Sequence, residues 1–514
     1  LWEARGGLST LGAAYASDYL GDGLKSRTRN NYCHEEDMFL TDFNIEAAPG
    51  RKHVMRQMGS LVPGSMHSEP HWQAHRFATY ARQLTFDRLR EDNRAAWAEL
   101  WRGRPKLIGA ESRWQDMADA SYFYLHSSIH RSSPCSIAPF GLSHRTAYSG
   151  HFFWDAESFM YPAVLLTAPE AARAMIDYRS RMLPAARDNA RLNGYAGIQF
   201  PWQSGLTGCE VSPFYSGAGA GLAEQHIVLD VAFAFLQFAQ ASGDDLFLKQ
   251  QAWPVLEGTA QWICSRVRKT ARGYEIHNIT GIDESIDNIN NHCMTNGLSR
   301  LILQEASLLA ERLGFTPPAR WREVAGKIFL PIHPTTGALE KHEGAERHLT
   351  HASPDTLMLQ IFPFGYVFDQ KVADISLKHQ VSLGHTYMGM PMNAANFGVW
   401  AARSGDRKLS LEFFEKGTAV RFREPYLQFV ESTNPAFAGS CEATSFITGM
   451  GAFMTACILG LPGLKLDGGD PKAWAKNKVV LPEGWEAIEV ECIQARGNTY
   501  ALTAKNGAEA AKIE

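Results

Sequence analysis

The sequence has no stretch of basic residues dense enough to follow a phosphate backbone. Lysine and arginine total 50 against 54 aspartate and glutamate residues, a formal net charge of -4 at pH 7. Binding to nucleic acid depends on clustered positive charge, so we expect no nucleic-acid partner. Long apolar runs are also missing, since the strongest, at 449–463, is shorter than a bilayer span and contains Gly and Pro. We expect no membrane partner and interpret this run as a buried helix.

Cysteine and histidine show none of the spacings typical of metal sites or redox pairs. The 8 cysteines lie far apart without a CxxC pair, which is typical of isolated reduced thiols buried as small apolar groups. The metal-binding motif HExxH is also missing. We therefore expect neither a metal ion nor another cofactor. No repeat of fixed period occurs, which argues against a helical-repeat scaffold.

The start of the chain shows no basic segment followed by an apolar stretch, the pattern of a secretory signal. We therefore favour a cytoplasmic location, although the first residue is Leu1 rather than Met. The 514 residues, 45% of them hydrophobic, are enough for one large core and a smaller second domain.

Local patterns divide the chain into four regions. Residues 1–65 alternate short apolar and polar runs with Gly, Pro and Asn, which predicts part of a β-sandwich. Residues 66–109 form a helical linker, in which 71–100 contains neither Gly nor Pro and predicts one long helix. From 110 to 465, about a dozen helix-length segments predict a mainly α domain built as a double ring of helices. Residues 466–514 alternate again and predict a small C-terminal β-domain.

Two loops combine aromatic side chains with polar groups. The sequence GHFFWDAESFMYP, at 150–162, puts Trp154 beside Asp155 ahead of a predicted helix. A Trp ring offers a sugar a flat apolar face and an N–H donor, and a neighbouring carboxylate accepts hydroxyl protons. A second loop adds Trp202 and Gln203 among glycines. Either loop taken alone is more often structural than functional.

Two acidic segments have the residue types that glycoside cleavage requires. One segment, ITGIDESIDNINNHCMTN, concentrates Asp283, Glu284 and Asp287 with several Asn residues before a predicted helix. A carboxylic acid among amides and apolar walls can keep its proton and donate it to a glycosidic oxygen. The alternative is a solvated loop with a helix cap. Glu431, in YLQFVESTNP, supplies a second carboxylate, and glycoside hydrolysis needs two.

The segments HFFWDAESFMYP, LNGYAGIQFPWQS, EQHIVLDVAFAFLQF, GIDES and FITGMGAF, in this order, resemble the landmarks of glycoside hydrolase family 65 over about residues 50–505. The resemblance implies a mainly α protein, an (α/α)6-barrel catalytic domain with a β-sandwich and helical linker before it and a β-domain after it. It also implies cleavage of an α-glucosidic bond with inversion and a small carbohydrate as substrate. Homodimers are common in the family, which is analogy only.

The resemblance implies a role for each residue singled out above. The family's general acid is the Glu of a Gly-x-Asp-Glu motif, which corresponds to Glu284, and we expect Asp283 beside it to bind substrate. The residues implied to bind the sugars are Trp154 and Asp155 at the −1 subsite and Trp202 and Gln203 at the +1 side.

The branch of the family depends on what lies opposite the anomeric carbon. Phosphorylases of the family hold phosphate with a His-x-Ser-Ser loop, whereas the corresponding stretch at 387–393 reads YMGMPMN. Met and Pro cannot hold a phosphate dianion. We therefore favour a hydrolase with Glu431 as general base and Glu442 as the second candidate. An inverting phosphorylase and a sugar-binding protein without turnover are the alternatives.

The sequence departs from the family pattern at two places. Ser285 and Ile286 stand where the family has Tyr-His after its acid. The family's Lys-Gln pair for the −1 glucose is replaced by SPDT at 353–356. Either the −1 sugar differs from glucose, or His351 and Asp355 bind it in place of that pair.

Overall fold

The computed structural model describes residues 1–3, 10–21, 27–33, 38–143, 147–212, 220–345, 349–434 and 444–514. Contacts among them divide the chain into two units, Leu1–Trp101 and Arg102–Glu514. No helix in these ranges is long and apolar enough to cross a membrane.

The first unit begins with strands. They are β1 (Trp2–Glu3), β2 (Thr10–Gly21), β3 (Arg27–Cys33), β4 (Met38–Asn44) and β5 (His53–Pro63). Strands β1, β2 and β5 form an antiparallel sheet in that order, and β3 pairs with β4. Helix α1 (Pro70–Leu84) packs against β2 and β5. Gly12 permits this contact, because a Cβ there would lie 2.1 Å from the carbonyl of Pro70.

The helix predicted over 71–100 is two helices, so that prediction was wrong. Helix α1 ends at Leu84, and α2 runs over Phe86–Leu100. Thr85 between them has a φ of 70°, which interrupts the helix, and its hydroxyl accepts a hydrogen bond from the Arg88 N–H. The sequence has neither Gly nor Pro at this break. Thr is a common N-cap residue but also occurs inside helices, so Thr85 by itself does not indicate that a helix ends here.

Helices are the predominant regular elements of the second unit. They are α3 (Ser112–Ser127), α4 (Tyr161–Thr167), α5 (Pro169–Arg181), α6 (Leu183–Leu192), α7 (Ala220–Ala223), α8 (Ile227–Ser242), α9 (Asp245–Phe247), α10 (Trp253–Arg266), α11 (Cys293–Arg312), α12 (Ala319–Lys327), α13 (Pro354–Gln360), α14 (Gln370–Ser382), α15 (Ala394–Arg403), α16 (Arg407–Gly417) and α17 (Ile447–Thr455). Single π-helical turns occur at Ala156–Met160, Leu248–Ala252 and Ala456–Gly460.

Six of these helices contact one another in a closed order. Helix α4 contacts α8, α8 contacts α11, α11 contacts α13, α13 contacts α15, α15 contacts α17, and α17 contacts α4. Every residue of α4, α13 and α17 is buried, as expected for helices surrounded by others. The remaining long helices pack on this set; α5 contacts α4 and α8, for example, and keeps one polar face.

A four-stranded antiparallel sheet joins the two ends of the second unit. Its strands are β6 (Pro105–Ile108), β11 (Ala487–Ala495), β12 (Asn498–Lys505) and β13 (Lys512–Ile513), in the order β13-β12-β11-β6. The remaining strands are the short pairs β7 (Arg268–Thr270) with β8 (Gly273–Glu275) and β9 (Phe422–Arg423) with β10 (Gln428–Phe429). Strand β6 falls within the range predicted as linker, yet it pairs with β11.

Candidate active site

Four carboxyl groups from separate segments lie close enough to influence one another. The negative charges of Glu224, Asp155 and Glu431 raise the pKa of Glu284. Those of Glu431 and Glu224 raise the pKa of Asp155. Asp155 lies just before the turn that leads into α4, and Glu224 lies just before α8. Because the N-terminal end of a helix carries partial positive charge, these positions favour carboxylates. We define these four carboxyl groups as the acidic cluster.

Glu284 lies on a loop whose ends are fixed by backbone pairing. Ile279 and Ile289 exchange two hydrogen bonds of 3.0 Å, and we call residues 279–289 the acid loop. The Thr280 N–H donates to the Ala223 carbonyl at 3.0 Å, which ties this loop to the segment that bears Glu224. The pattern of Asn and Asp residues predicted a loop, and its position depends on these long-range contacts.

The surroundings of Glu284 favour the protonated form of its carboxyl group. Burial of its carboxyl raises its pKa to about 8, and the charges of Glu224 and Asp155 add to the effect. The residue as a whole is nevertheless exposed, so only its carboxyl group is in crowded surroundings. A carboxyl with this pKa is still mainly protonated at neutral pH, which is the state required of a general acid.

Asp283, the preceding residue, is held in the opposite state. Its Oδ2 lies 2.5 Å from the Lys341 ammonium, and its Oδ1 accepts hydrogen bonds from the Ser285 N–H and hydroxyl. Partial burial opposes the charged form, but the ion pair with Lys341 outweighs it and lowers the pKa of Asp283. Its hydrogen bonds within the acid loop indicate that Asp283 shapes this loop.

Glu431 follows β10 and is buried. The Tyr148 hydroxyl donates a hydrogen bond to its Oε1. Burial, followed by the charge of Glu431, raises the pKa of Tyr148, so the phenol keeps its proton and remains a donor. The guanidinium of the buried Arg421 donates to the carbonyls of Glu431 and Met390, at 2.5 and 2.6 Å, and fixes the backbone here.

The predicted sugar-binding aromatics are both buried beside the acidic cluster. The Trp154 ring lies 4.8 Å from the ring of His226 in an edge-to-face arrangement. The Trp202 ring packs edge-to-face on Phe153 at 5.1 Å. The indole N–H of Trp202 is buried without a hydrogen-bond partner among the described residues, and so is Oε2 of Glu224.

The indole N–H of Trp202 and the carboxyl group of Glu224 lie near each other. Burial raises the pKa of Glu224, and the Trp202 N–H is one of the groups that oppose this rise. The N–H therefore lies close to the carboxyl group of Glu224. A donor and an acceptor left open side by side suit a sugar hydroxyl, which can accept one hydrogen bond and donate another.

The buried His226 forms a hydrogen bond with the carboxyl group of Glu224. The two ring nitrogens of His226 lie 2.8 Å from Oε1 of Glu224 and 2.7 Å from Oδ2 of Asp230. Burial opposes a charge on this ring, but Asp230 and Glu224 outweigh it and raise the pKa of His226 to about 10. His226 is therefore an imidazolium at neutral pH, and it fixes the direction of the Glu224 side chain.

Gln203, His351 and Asp355 lie at different depths. The Gln203 amide is buried and lies 2.7 Å from Nδ1 of His151. Asp355 is fully buried and lies 2.7 Å from Nε2 of His292, whose ring is 6.4 Å from that of His226. His351 is exposed and contacts the neighbouring Thr350 hydroxyl.

The structure thus brings together most of the predicted site. Glu284, Glu431, Trp154, Asp155 and Trp202 lie in or against the acidic cluster, whereas no contact of the described residues links His351 to it. Glu442, the second candidate for the base, lies outside the described residues.

Sequence reasoning did not single out four residues of this region. They are Tyr148, Glu224, His226 and Lys341. A signal existed for two of them, because Glu-Gln-His directly precedes the apolar run of α8, where charged side chains serve no packing purpose. In the residues that the structure describes, no group of three or more His, Cys, Asp or Glu side chains could hold a metal ion.

The chain is similar in sequence to known proteins over most of its length. The profile of the glycosyl hydrolase family 65 central catalytic domain matches residues 120–356. The kojibiose hydrolase of Flavobacterium johnsoniae is 31% identical over 475 residues, 91% of this chain and 67% of that protein. The protein-glucosylgalactosylhydroxylysine glucosidase of Danio rerio is 28% identical, over 80% of this chain and 62% of that protein. The chain thus spans about two thirds of the length of these relatives.

A solved structure shares the fold. A protein from the human microbiome, assigned provisionally as a kojibiose phosphorylase, superposes with a TM-score of 0.74 and 16% identity over 98% of this chain and 69% of that one. The family resemblance inferred from the sequence is confirmed by the profile and the relatives. The chain belongs to glycosyl hydrolase family 65 and is a glycoside hydrolase.

Proposed function

We propose that this chain hydrolyses an α-glucosidic bond with inversion, with Glu284 as general acid and Glu431 as general base. The observation that carries the proposal is the contrast between these two carboxyl groups of the acidic cluster. Burial raises the pKa of Glu284 to about 8, so it holds a proton, while Glu431 accepts a hydrogen bond from Tyr148. Inverting hydrolysis requires one carboxyl that gives a proton and one that takes a proton.

The reaction follows from these states. Glu284 transfers its proton to the glycosidic oxygen as the bond from that oxygen to the anomeric carbon breaks. Glu431 takes a proton from a water molecule whose oxygen forms a new bond to the anomeric carbon from the opposite face of the ring. The leaving sugar departs as a neutral alcohol, and the product has the β-configuration.

The proposed substrate is a small α-glucoside such as kojibiose. The kojibiose hydrolases of Flavobacterium johnsoniae and Mucilaginibacter mallensis, 31% and 28% identical to this chain, support this class. Trp154 and Asp155 would hold the −1 sugar, and Trp202 and Gln203 the +1 sugar. The open Trp202 N–H and Glu224 Oε2 would bind one substrate hydroxyl.

We also propose that the helices of the second unit form an (α/α)6 barrel. The closed order of contacts through α4, α8, α11, α13, α15 and α17 supports an inner ring of six helices. The acidic cluster would then lie at one mouth of this barrel, because Asp155, Glu224 and Glu284 all come from segments that precede inner helices. Loops at such a mouth can vary without disturbing the core.

The test is product analysis with kojibiose, other α-linked glucobioses and glucosyl-galactosides. Proton NMR would follow the wild-type chain and the Glu284→Gln and Glu431→Gln variants, with and without inorganic phosphate. Free β-glucose in the absence of phosphate, together with loss of about 10³-fold or more in kcat in both variants, is the expected result. Asp287→Asn is the matched control, because Asp287 is a carboxylate of the same loop outside the acidic cluster.

The second candidate is an inverting phosphorylase. It is supported by the kojibiose phosphorylase of Caldanaerobacter subterraneus, which is 28% identical over 78% of this chain. A sugar 1-phosphate formed only when phosphate is present would replace the hydrolase proposal with this one. Binding of the sugars without any cleavage would favour a binding protein and would contradict both enzymes.

A further inference from the structure

Two consecutive carboxyl groups of the acid loop have different partners. The charges of Glu224, Asp155, His226 and Glu431 act on the carboxyl of Glu284, and its charge in turn acts on Tyr148. The side chain of Asp283 faces Lys341 and the Ser285 hydroxyl. The two neighbours therefore have different surroundings, and the Lys341 ammonium forms its ion pair with the one that does not carry the proposed catalytic proton.

Both the backbone and the side chain of Lys341 are held by contacts with other segments. Its carbonyl accepts a 2.9 Å hydrogen bond from the N–H of Cys293, the first residue of α11. Its side chain is only 13% exposed, and its ammonium lies 2.5 Å from Oδ2 of Asp283. Asp355, His292 and the Cys293 thiol also lie within electrostatic range of this ammonium. A lysine fixed at both its backbone and its charged end can hold a loop in one position.

We propose that Lys341 is a positioning residue for the reaction, which binds Asp283 as a charge-balanced pair and thereby orients the loop that presents Glu284. The inference deepens the proposed function and depends on it, because it assumes that Glu284 donates the proton. Lys341 itself does not touch the reacting atoms in this account.

The physical reason is that a general acid must point at the leaving oxygen and must hold its proton. The peptide unit between Asp283 and Glu284 is shared, so fixing one side chain restricts the direction of the other. Charge balance also matters, because Asp283 alone would add one more negative charge beside the acidic cluster. The ammonium cancels that charge at close range.

The first test compares two substrates. Kojibiose has a leaving alcohol that needs a proton, whereas α-glucosyl fluoride has a leaving group that departs without one. Lys341→Met should lower kcat for kojibiose by about 10- to 100-fold while KM changes little, and it should lower the rate with the fluoride by less than about threefold. Lys341→Arg, which keeps the charge, should recover much of the loss. Equal losses with both substrates would show a merely structural role and would overturn the inference.

The second test follows the alkaline limb of kcat/KM for kojibiose, where loss of the Glu284 proton ends activity. Lys341→Met leaves Asp283 charged and unbalanced, so the limb should move to higher pH by about half a unit or more. Asp283→Asn leaves the ammonium unbalanced, so the limb should move to lower pH. The double variant should lie close to the wild type. Shifts of the two single variants in the same direction, or no shift, would overturn the inference.

Two controls distinguish the role of Lys341 from an unspecific effect of breaking an ion pair and from failure of the proposed function. Lys476→Met breaks an ion pair of 3.3 Å with Asp467, outside the acid loop. It should change neither the ratio of the rates on kojibiose and α-glucosyl fluoride nor the pH of the alkaline limb of kcat/KM. Glu284→Gln tests the underlying assignment. If this variant keeps full activity on kojibiose, the proposed function fails; if it is inactive and the Lys341 and Asp283 variants behave like Lys476→Met, only the positioning role fails.

Discussion

The hydroxyl of Tyr148 donates a hydrogen bond to Oε1 of Glu431, a residue 283 positions later in the chain. Tyr148 has a φ of 58°, in the left-handed region that residues other than Gly rarely adopt. A conformation of this kind is maintained when surrounding contacts favour it. The bond fixes one oxygen of the proposed base and leaves the other to accept a proton from water.

Tyr148→Phe should lower kcat about tenfold with little change in KM, because the variant removes one hydrogen bond to the base and keeps the ring. Steady-state kinetics on kojibiose would measure this. Tyr124→Phe is the matched control, since the Tyr124 hydroxyl donates to the Tyr426 carbonyl at 3.2 Å and should not affect turnover. Wild-type kcat in Tyr148→Phe would show that the hydroxyl does not orient Glu431.

The pH dependence of kcat/KM should have an alkaline limb near pH 8. Burial raises the pKa of Glu284 to about 8, so the acid form persists through neutral pH and is lost as pH rises through that value. The profile of kcat/KM reports groups of the free enzyme. A profile that stays flat well above pH 8, or that falls already in the range of an ordinary carboxyl, would contradict Glu284 as the acid.

Trp202→Phe should reduce kcat/KM about tenfold, because it keeps an aromatic face but removes the buried N–H that we expect to bind a sugar hydroxyl. A substrate that lacks the bound hydroxyl should show a smaller difference between variant and wild type. Trp253→Phe, at a ring stacked on Phe315 at 5.6 Å, serves as control. If every deoxy substrate shows the same loss, the N–H is not a substrate contact.

Breaking the buried ion pair of Arg179 and Glu157 should strongly destabilise the protein. The guanidinium bonds both carboxylate oxygens, at 2.7 and 3.1 Å, and also reaches the Phe153 carbonyl next to Trp154. Arg179→Met leaves a buried charge unpaired and should cost about 3–5 kcal/mol in the free energy of unfolding.

Urea unfolding followed by Trp fluorescence would measure this cost. Adding Glu157→Leu to Arg179→Met should recover most of the loss, because no charge then remains buried. Arg322→Met, which removes an exposed partner of Glu311, should cost less than about 1 kcal/mol. Equal losses in the two single variants would show that burial of the pair is unimportant.

The local sequence pattern was sufficient to predict some helices and strands but not others. The run of 71–100, which lacks Gly and Pro, predicted helical structure, because helix formation depends on neighbours three and four positions apart. The break at Thr85 was missed, since a single residue with positive φ leaves no compositional trace. Strand β6 was also missed, because its partner β11 lies far along the chain.

The sequence by itself determined the family, since the order of its motifs is a property of the chain alone, and it indicated Glu284, Trp154 and Asp155 as candidates. Only the tertiary structure decided which groups surround them. Burial, the ion pair of Lys341 with Asp283 and the bond from Tyr148 to Glu431 join residues distant in sequence. Protonation depends on such surroundings because the energy of a charge is set by the solvent and charges within a few ångströms of it.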